Sequence, residues 1–304
     1  MNAWTPGHRS VAAALALGAA VALAPVDAAL AASSQAQVEA LQMPAWITRD
    51  GQRTPLAPGA QLKSGDSITT GAGSRVVLRL AEGSIVKLGE NARFDLNDIT
   101  QARAGTQEQF SAKLGVQQGA FRFTTAPDSK FRGTRAIDIQ FATVTASVIG
   151  TDLWGRSTGD GDVVALIEGK ITATRAGAPP VTMDQPKTVY VAPRNEGPPP
   201  VSSITLAQLN AYAQETELQT GGGVAGRGGT WKVYAGRSTN KAELQALYER
   251  LVNAGYAASI QPSVSAGKQI FQVRIAGLLS EADGVAIAVK LRVELGLQDV
   301  RVSL

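Results

Sequence analysis

The chemistry open to this chain is set first by what it lacks. Its 304 residues include one histidine and no cysteine. The histidine, His8, stands among the first ten residues. Past that point no imidazole or thiolate is available, which excludes Ser-His-Asp and Cys-His nucleophilic sites and nearly all zinc sites. Carboxylates, amines, guanidiniums and phenols remain. Two carboxylates facing one cleft would suit glycosidic cleavage, and Asp160 and Asp162 lie close together in the run GDGD. That run reads as a turn between strands. No catalytic residue, metal site or cofactor is assigned, and the chain is read as not an enzyme.

Residues 231–304 gather a different set of groups. WKVYAGRS at 231–238 alternates as a strand does. Asn240 with Glu243 is the signature of a capping box. Leu244, Leu247, Leu251 and Val252 then give a helix its apolar face, and Gly255 is its stop. AASIQPS at 257–263 and QIFQVRIAG at 269–277 are further strands. Ser280 with Asp283 caps a second helix, with Val285, Ile287, Val289, Leu291 and Leu295 as apolar positions and Gly296 as its stop. DVRVSL at 299–304 closes the run. The order β-α-β-β-α-β is the ferredoxin-like split, α+β, with two helices on one face of a four-stranded sheet. The covered face must be apolar. Period two assigns Trp231, Val233, Phe271, Val273, Ile275, Val300 and Val302 to it. The open face then carries Lys232, Tyr234, Ser259, Gln261, Gln272, Arg274, Arg301 and Ser303. Cations, a phenol and several amides share one surface, which suits an anionic partner.

The start of the chain sets its compartment. His8 and Arg9 precede the apolar run VAAALALGAAVALAPV at 11–26, and Ala29-Leu30-Ala31 is a small-x-small exit. These are the three parts of a secretory signal peptide, expected over 1–31. The run is too short for a transmembrane anchor and contains Gly18 and Pro25. The expectation is an exported periplasmic product with no membrane span after cleavage. Export also sets aside a nucleic-acid partner for the open sheet. The 29 basic and 25 acidic residues leave a formal charge of +4, compatible with an anionic polymer without demanding one.

Two breaks divide the remainder. APRNEGPPP at 192–200 favours an extended spacer, and TGGGVAGRGG at 220–229 reads as flexible. Between them, Leu206, Leu209 and Tyr212 recur at helical spacing, and Thr205 with Gln208 offers a capping box. Residues 193–230 are thus a Pro/Gly-rich linker with a short helix. Residues 44–192 read as all-β, a roll, solenoid or sandwich. RVVLRL (75–80), SIVKL (84–88), RFDL (93–96), VTASVIGTDLWGRS (144–157), DVVALIEGKITATR (162–175) and KTVYVA (187–192) are its strands. Gly65, Gly71, Gly73, Gly83 and Gly89 read as turn glycines with positive φ. Trp46 and Trp154 read as core residues rather than sugar platforms.

Two resemblances follow from these residues. The stretch LKSGDSITTGAGSRVVLRLAEGSIVKLGENARFDL at 62–96 resembles the core of the FecR-type periplasmic domain, and 141–153 and 165–174 resemble its later repeats. That resemblance implies a β-rich periplasmic module; the signalling role of some members is not carried over. Residues 231–304 resemble the SPOR domain through Trp231, Val233 and Gly236, the Ala-Gly-Tyr exit at 254–256, and Phe271, Val273, Arg274 and Gly277. This implies binding to peptidoglycan glycan strands stripped of stem peptides, chiefly at division septa. Such strands expose a lactyl carboxylate on each muramic unit. Lys232, Tyr234, Gln272, Arg274 and Arg301 are the expected glycan-binding residues. Where the family commonly has Val-Gln in its first strand, this chain has Val233-Tyr234. The alternative is an envelope sensory or regulatory protein whose FecR-like domain binds a protein partner.

Overall fold

The computed structural model describes Met1, Asn2 and residues 35–104, 107–126 and 131–304. Past Asn2, the expected export signal lies outside the described residues. The chain divides into two units, Met1–Ser33 and Ser34–Leu304, and every element below belongs to the second.

The β-rich part begins before residue 44. The strand Ala36–Gln42 alternates inward and outward, and its Val38 and Leu41 are fully buried. It pairs with Arg75–Leu80, which pairs in turn with Ile85–Leu88. Three long strands follow: Gln107–Thr124, Thr145–Ser157 and Gly161–Thr174. Each pairs with different strands along its length. The start of Gln107–Thr124 pairs with Arg93–Ala104 and its end with Ile85–Leu88. Thr145–Ser157 likewise meets Thr134–Gln140 with its first residues and Gly119–Thr124 with its last. Bulges between Ile149 and Thr151 and between Asp152 and Leu153 bend it where its partner strand changes. These strands feed one apolar core, in which Phe94 and Phe121 stack 5.6 Å apart.

The turn glycines divide into two kinds. Gly65, Gly73 and Gly83 have φ of 87°, 63° and 105°, as turns demand. Gly71 and Gly89 have no positive φ, which corrects that part of the expectation. A Cβ on Gly89 would stand 2.8 Å from the Glu215 carbonyl oxygen, so this glycine lets another segment approach closely.

That segment is the expected short helix, Leu206–Thr216, whose Thr205–Gln208 capping box forms as the spacing implied. It lies against the β-rich part. Tyr212 stacks flat on the buried Trp154, ring centroids 4.0 Å apart. Just past the helix, the Glu217 carboxylate takes Lys87 at 2.6 Å and Arg122 at 3.0 Å. Leu206, expected on the apolar face, is exposed.

The Gly-rich stretch does not run free. Val224–Gly226 is a fully buried strand. It pairs antiparallel with Ala40–Gln42 on one side, and Ala225 meets Leu278 on the other. Its remaining backbone groups have dedicated partners. The buried Gln42 amide donates to Gly222 O at 3.0 Å and accepts from Gln219 N at 2.9 Å. The buried Asp283 carboxylate accepts from Gly223 N and Val224 N at 3.1 and 2.9 Å. A flexible joint leaves its backbone to water; here side chains and strands from both flanks satisfy it.

Candidate functional site

The last part of the chain builds a four-stranded sheet in the order Ala258–Ser265, Lys268–Leu278, Trp231–Ser238, Arg301–Ser303. Helices Gln245–Asn253 and Glu281–Leu295 cover one face. Ser280 caps the second helix by accepting from Asp283 N, and Gly296 ends it at φ 62°. The first helix differs from expectation. Asn240 caps a 3-10 turn, Lys241–Leu244, by accepting from Ala242 N, while Glu243 turns back to take the Ser238 hydroxyl. The capping box therefore does not form. Val285 and Val289, expected to face inward, are each 48 % exposed; Ile287, Ala288 and Leu291 form the buried stripe. The 285–287–289 spacing is not a helical one, so those positions cannot share a face.

On the covered side of the sheet Val233, Val273, Ile275 and Val300 are buried. The opposite face brings the expected site residues together unevenly. Tyr234 is at its centre, directly opposite Arg274 on one neighbouring strand and Arg301 on the other. Lys232 stands opposite Ser303, one pair further along, and its amine donates to Thr230 O at 3.2 Å. Gln272 stands opposite Gln261 on its outer side. A cleft of about 480 Å³ opens here. Tyr234, Gln272 and Arg301 line it together with Arg237 and Asp299; Lys232 and Arg274 lie outside its lining. Arg274 is half-buried, and among the described residues its Nε has no hydrogen-bond partner. Among the described residues, none of Lys232, Arg237, Arg274 and Arg301 makes an ion pair. Four cations that make no ion pair among the described residues, against the one carboxylate of Asp299 in the cleft, leave this face net positive and suited to an anion.

Arg237 is the residue that strict alternation misses. Period two sends it to the helix side. A bulge between Tyr234 and Gly236 shifts the count by one and sets Arg237 opposite Gln272. Gly236 takes the helix side instead, where a Cβ would come within 2.6 Å of Leu247 Cδ2. A glycine inside a strand is the one local sign of such a bulge.

The other singled-out residues have structural work. Asp162 is fully buried and accepts from Thr143 N, the Thr143 hydroxyl and the Ser157 hydroxyl. Trp154 is buried. Trp46 carries the Arg53 guanidinium 4.0 Å over its ring, and its edge faces Gly255, where a Cβ would stand 2.6 Å away.

Comparison with known protein families finds two matches along the chain. Residues 66–172 match the FecR protein family and residues 227–303 the SPOR domain. The chain carries a FecR domain followed by a SPOR domain. The SPOR domain points to peptidoglycan binding, both domains are of kinds typical of envelope proteins, and neither is a catalytic one. No curated protein matches the chain. Among solved structures, two of a putative anti-sigma factor from Parabacteroides distasonis ATCC 8503 resemble it, at 13% and 12% identity. They cover 76% and 78% of this chain and 92% and 96% of their own, with a TM-score of 0.38 in each case. At that score the likeness carries no argument. No helix among the described residues is long and apolar enough to cross a membrane.

Proposed function

We propose that this is a non-catalytic, exported periplasmic protein that binds denuded peptidoglycan glycan strands through the open sheet face of its SPOR domain, with enrichment at the division septum. One observation carries the reading: Tyr234 sits between Arg274 and Arg301 in register, on a face whose cations have no carboxylate partners among the described residues. Alternate muramic carboxylates along a strand meet guanidiniums, and a sugar ring lies on the Tyr234 phenol. Each charge-assisted contact contributes about 1.5–3 kcal/mol, and micromolar affinity is about −8 kcal/mol. Two such contacts contribute about 3–6 kcal/mol of that, and the stacked ring adds to it. Gln272 and Arg237 extend the track along the cleft, and Lys232 adds charge at its end.

The test is co-sedimentation with sacculi before and after an amidase removes the stem peptides. The parent protein should pellet with the denuded sacculi. Arg274→Ala and Arg301→Ala should each weaken that binding about tenfold or more with an unchanged melting temperature. Tyr234→Gln, which restores the family's usual residue, should still bind, weaker only by the lost ring contact. Equal binding by the parent and both arginine variants would remove the open face from consideration. The FecR match favours a second reading, an envelope regulator whose FecR domain holds a protein partner. Failure of the parent to pellet with either form of sacculi would favour it.

A further inference from the structure

A second cationic site lies on the FecR domain, away from the glycan-binding face. Arg75 opens the strand Arg75–Leu80 and is only 8% exposed. Yet among the described residues its one side-chain hydrogen bond runs from Nη1 to the adjoining Ser74 carbonyl, at 2.9 Å, and its buried Nε has no partner. No carboxylate among the described residues lies within ion-pairing distance of it. One charge that acts on it, the Lys290 amine, is of the wrong sign. The Lys290 amine is held below its ordinary value mainly by burial, Glu294 working against that shift and Arg75 adding to it. A buried charge with no counter-charge is costly, and proteins avoid it unless something else pairs with it.

Arg75 lines a groove of about 710 Å³, within the range of small-molecule sites. The same groove is lined by Arg194, which makes no ion pair among the described residues, and by Arg156, which is bridged to Glu215 of the docked helix. Glu90 supplies the other carboxylate, so three guanidiniums face two carboxylates. One positive charge is in excess, which matches a monoanion better than a doubly charged phosphate. Amides and hydroxyls such as Gln117 and Thr158 fill the rest of the lining, and no aromatic ring does.

We infer that this groove binds a small, hydrogen-bond-rich ligand bearing one free carboxylate, held by Arg75 with help from Arg194. Two sources supply that chemistry, a sugar acid and the C-terminus of a short peptide. Calorimetry of the purified full chain with N-acetylmuramic acid and, separately, with acetyl-D-alanyl-D-alanine distinguishes them. At least one should bind saturably in the millimolar range or tighter, and its carboxamide analogue should not. Arg75→Gln should weaken binding about tenfold or more while raising the melting temperature of the ligand-free protein, because an unpaired buried charge is removed. Arg194→Ala, an exposed change that leaves the fold alone, should weaken binding several-fold. Arg274→Ala and Arg301→Ala should bind as the parent does, which separates this site from the sheet face. The inference is overturned if neither probe binds, or if Arg75→Gln and Arg194→Ala both bind like the parent.

Discussion

At the scale of single residues, the SPOR domain holds a tyrosine that records pH. Tyr256 is fully buried, and its hydroxyl donates to Glu294 Oε2 at 2.8 Å. Burial first, then that hydrogen bond and the Glu294 charge, push its pKa up from the ordinary 10.0. The sign of the linkage follows. Below pH 10 the phenol keeps its proton folded and unfolded, so it adds no pH dependence. Above pH 10 the unfolded tyrosine releases its proton while the folded one does not, and folding stability falls as pH rises. Lys290 acts the other way, since its lowered pKa makes stability rise toward its ordinary 10.5. Comparing variants separates the two. Urea titrations from pH 9 to pH 11 should show Tyr256→Phe losing less stability than the parent above pH 10. Parallel curves would mean that Tyr256 ionises as easily folded as unfolded.

At the scale of elements, the helix Leu206–Thr216 was readable from its cap and its spacing, but its role was not. Local signals state that a helix forms; they do not state what it lies on. Its Tyr212 covers Trp154, and Glu215 and Glu217 reach basic residues of the FecR domain. Only Gly89, packed under the Glu215 carbonyl, hints at a close approach. Tyr212→Ala should destabilise the protein by about 1–3 kcal/mol, through a lost aromatic pair and a newly wetted indole. The urea midpoint and a red shift of the tryptophan emission report it. An unchanged spectrum would show that the helix does not shield Trp154 in solution.

At the scale of the whole molecule, the buried strand Val224–Gly226 joins the FecR sheet at Leu41 to the SPOR sheet at Leu278. Asp283 ties the same segment to the N-terminus of the helix it helps to cap. The two domains therefore share hydrogen bonds and core, and calorimetric unfolding should show one transition. Proline cannot donate to a ladder within a sheet. Ala225→Pro should split that transition into two, each domain melting by itself. Two transitions already present in the parent would show that the shared strand does not couple them. A glycan caught by the SPOR face would be held at a set distance from the FecR groove, rather than on a loose tether.

What the sequence determined by itself was whatever depends on neighbours along the chain. Alternation in 75–80 and 231–238, the caps at Thr205 and Ser280, and the stop at Gly296 are local, and they appear where the residues place them. The placement of Tyr234 and Arg274 on one face and Val233 on the other followed from the same period of two. The tertiary structure decided everything that depends on a partner far away in sequence. One bulged residue moved Arg237 to the open face, because the pairing strand, not the pattern, sets the count. Gly-rich backbone became a buried strand because Gln42 and Asp283 satisfy it from both sides. The unpaired charge of Arg75 is equally invisible in RVVLRL, where it reads as the polar start of a strand. Burial is a property of the packed molecule, and it alone turns an ordinary arginine into one that lacks an anion.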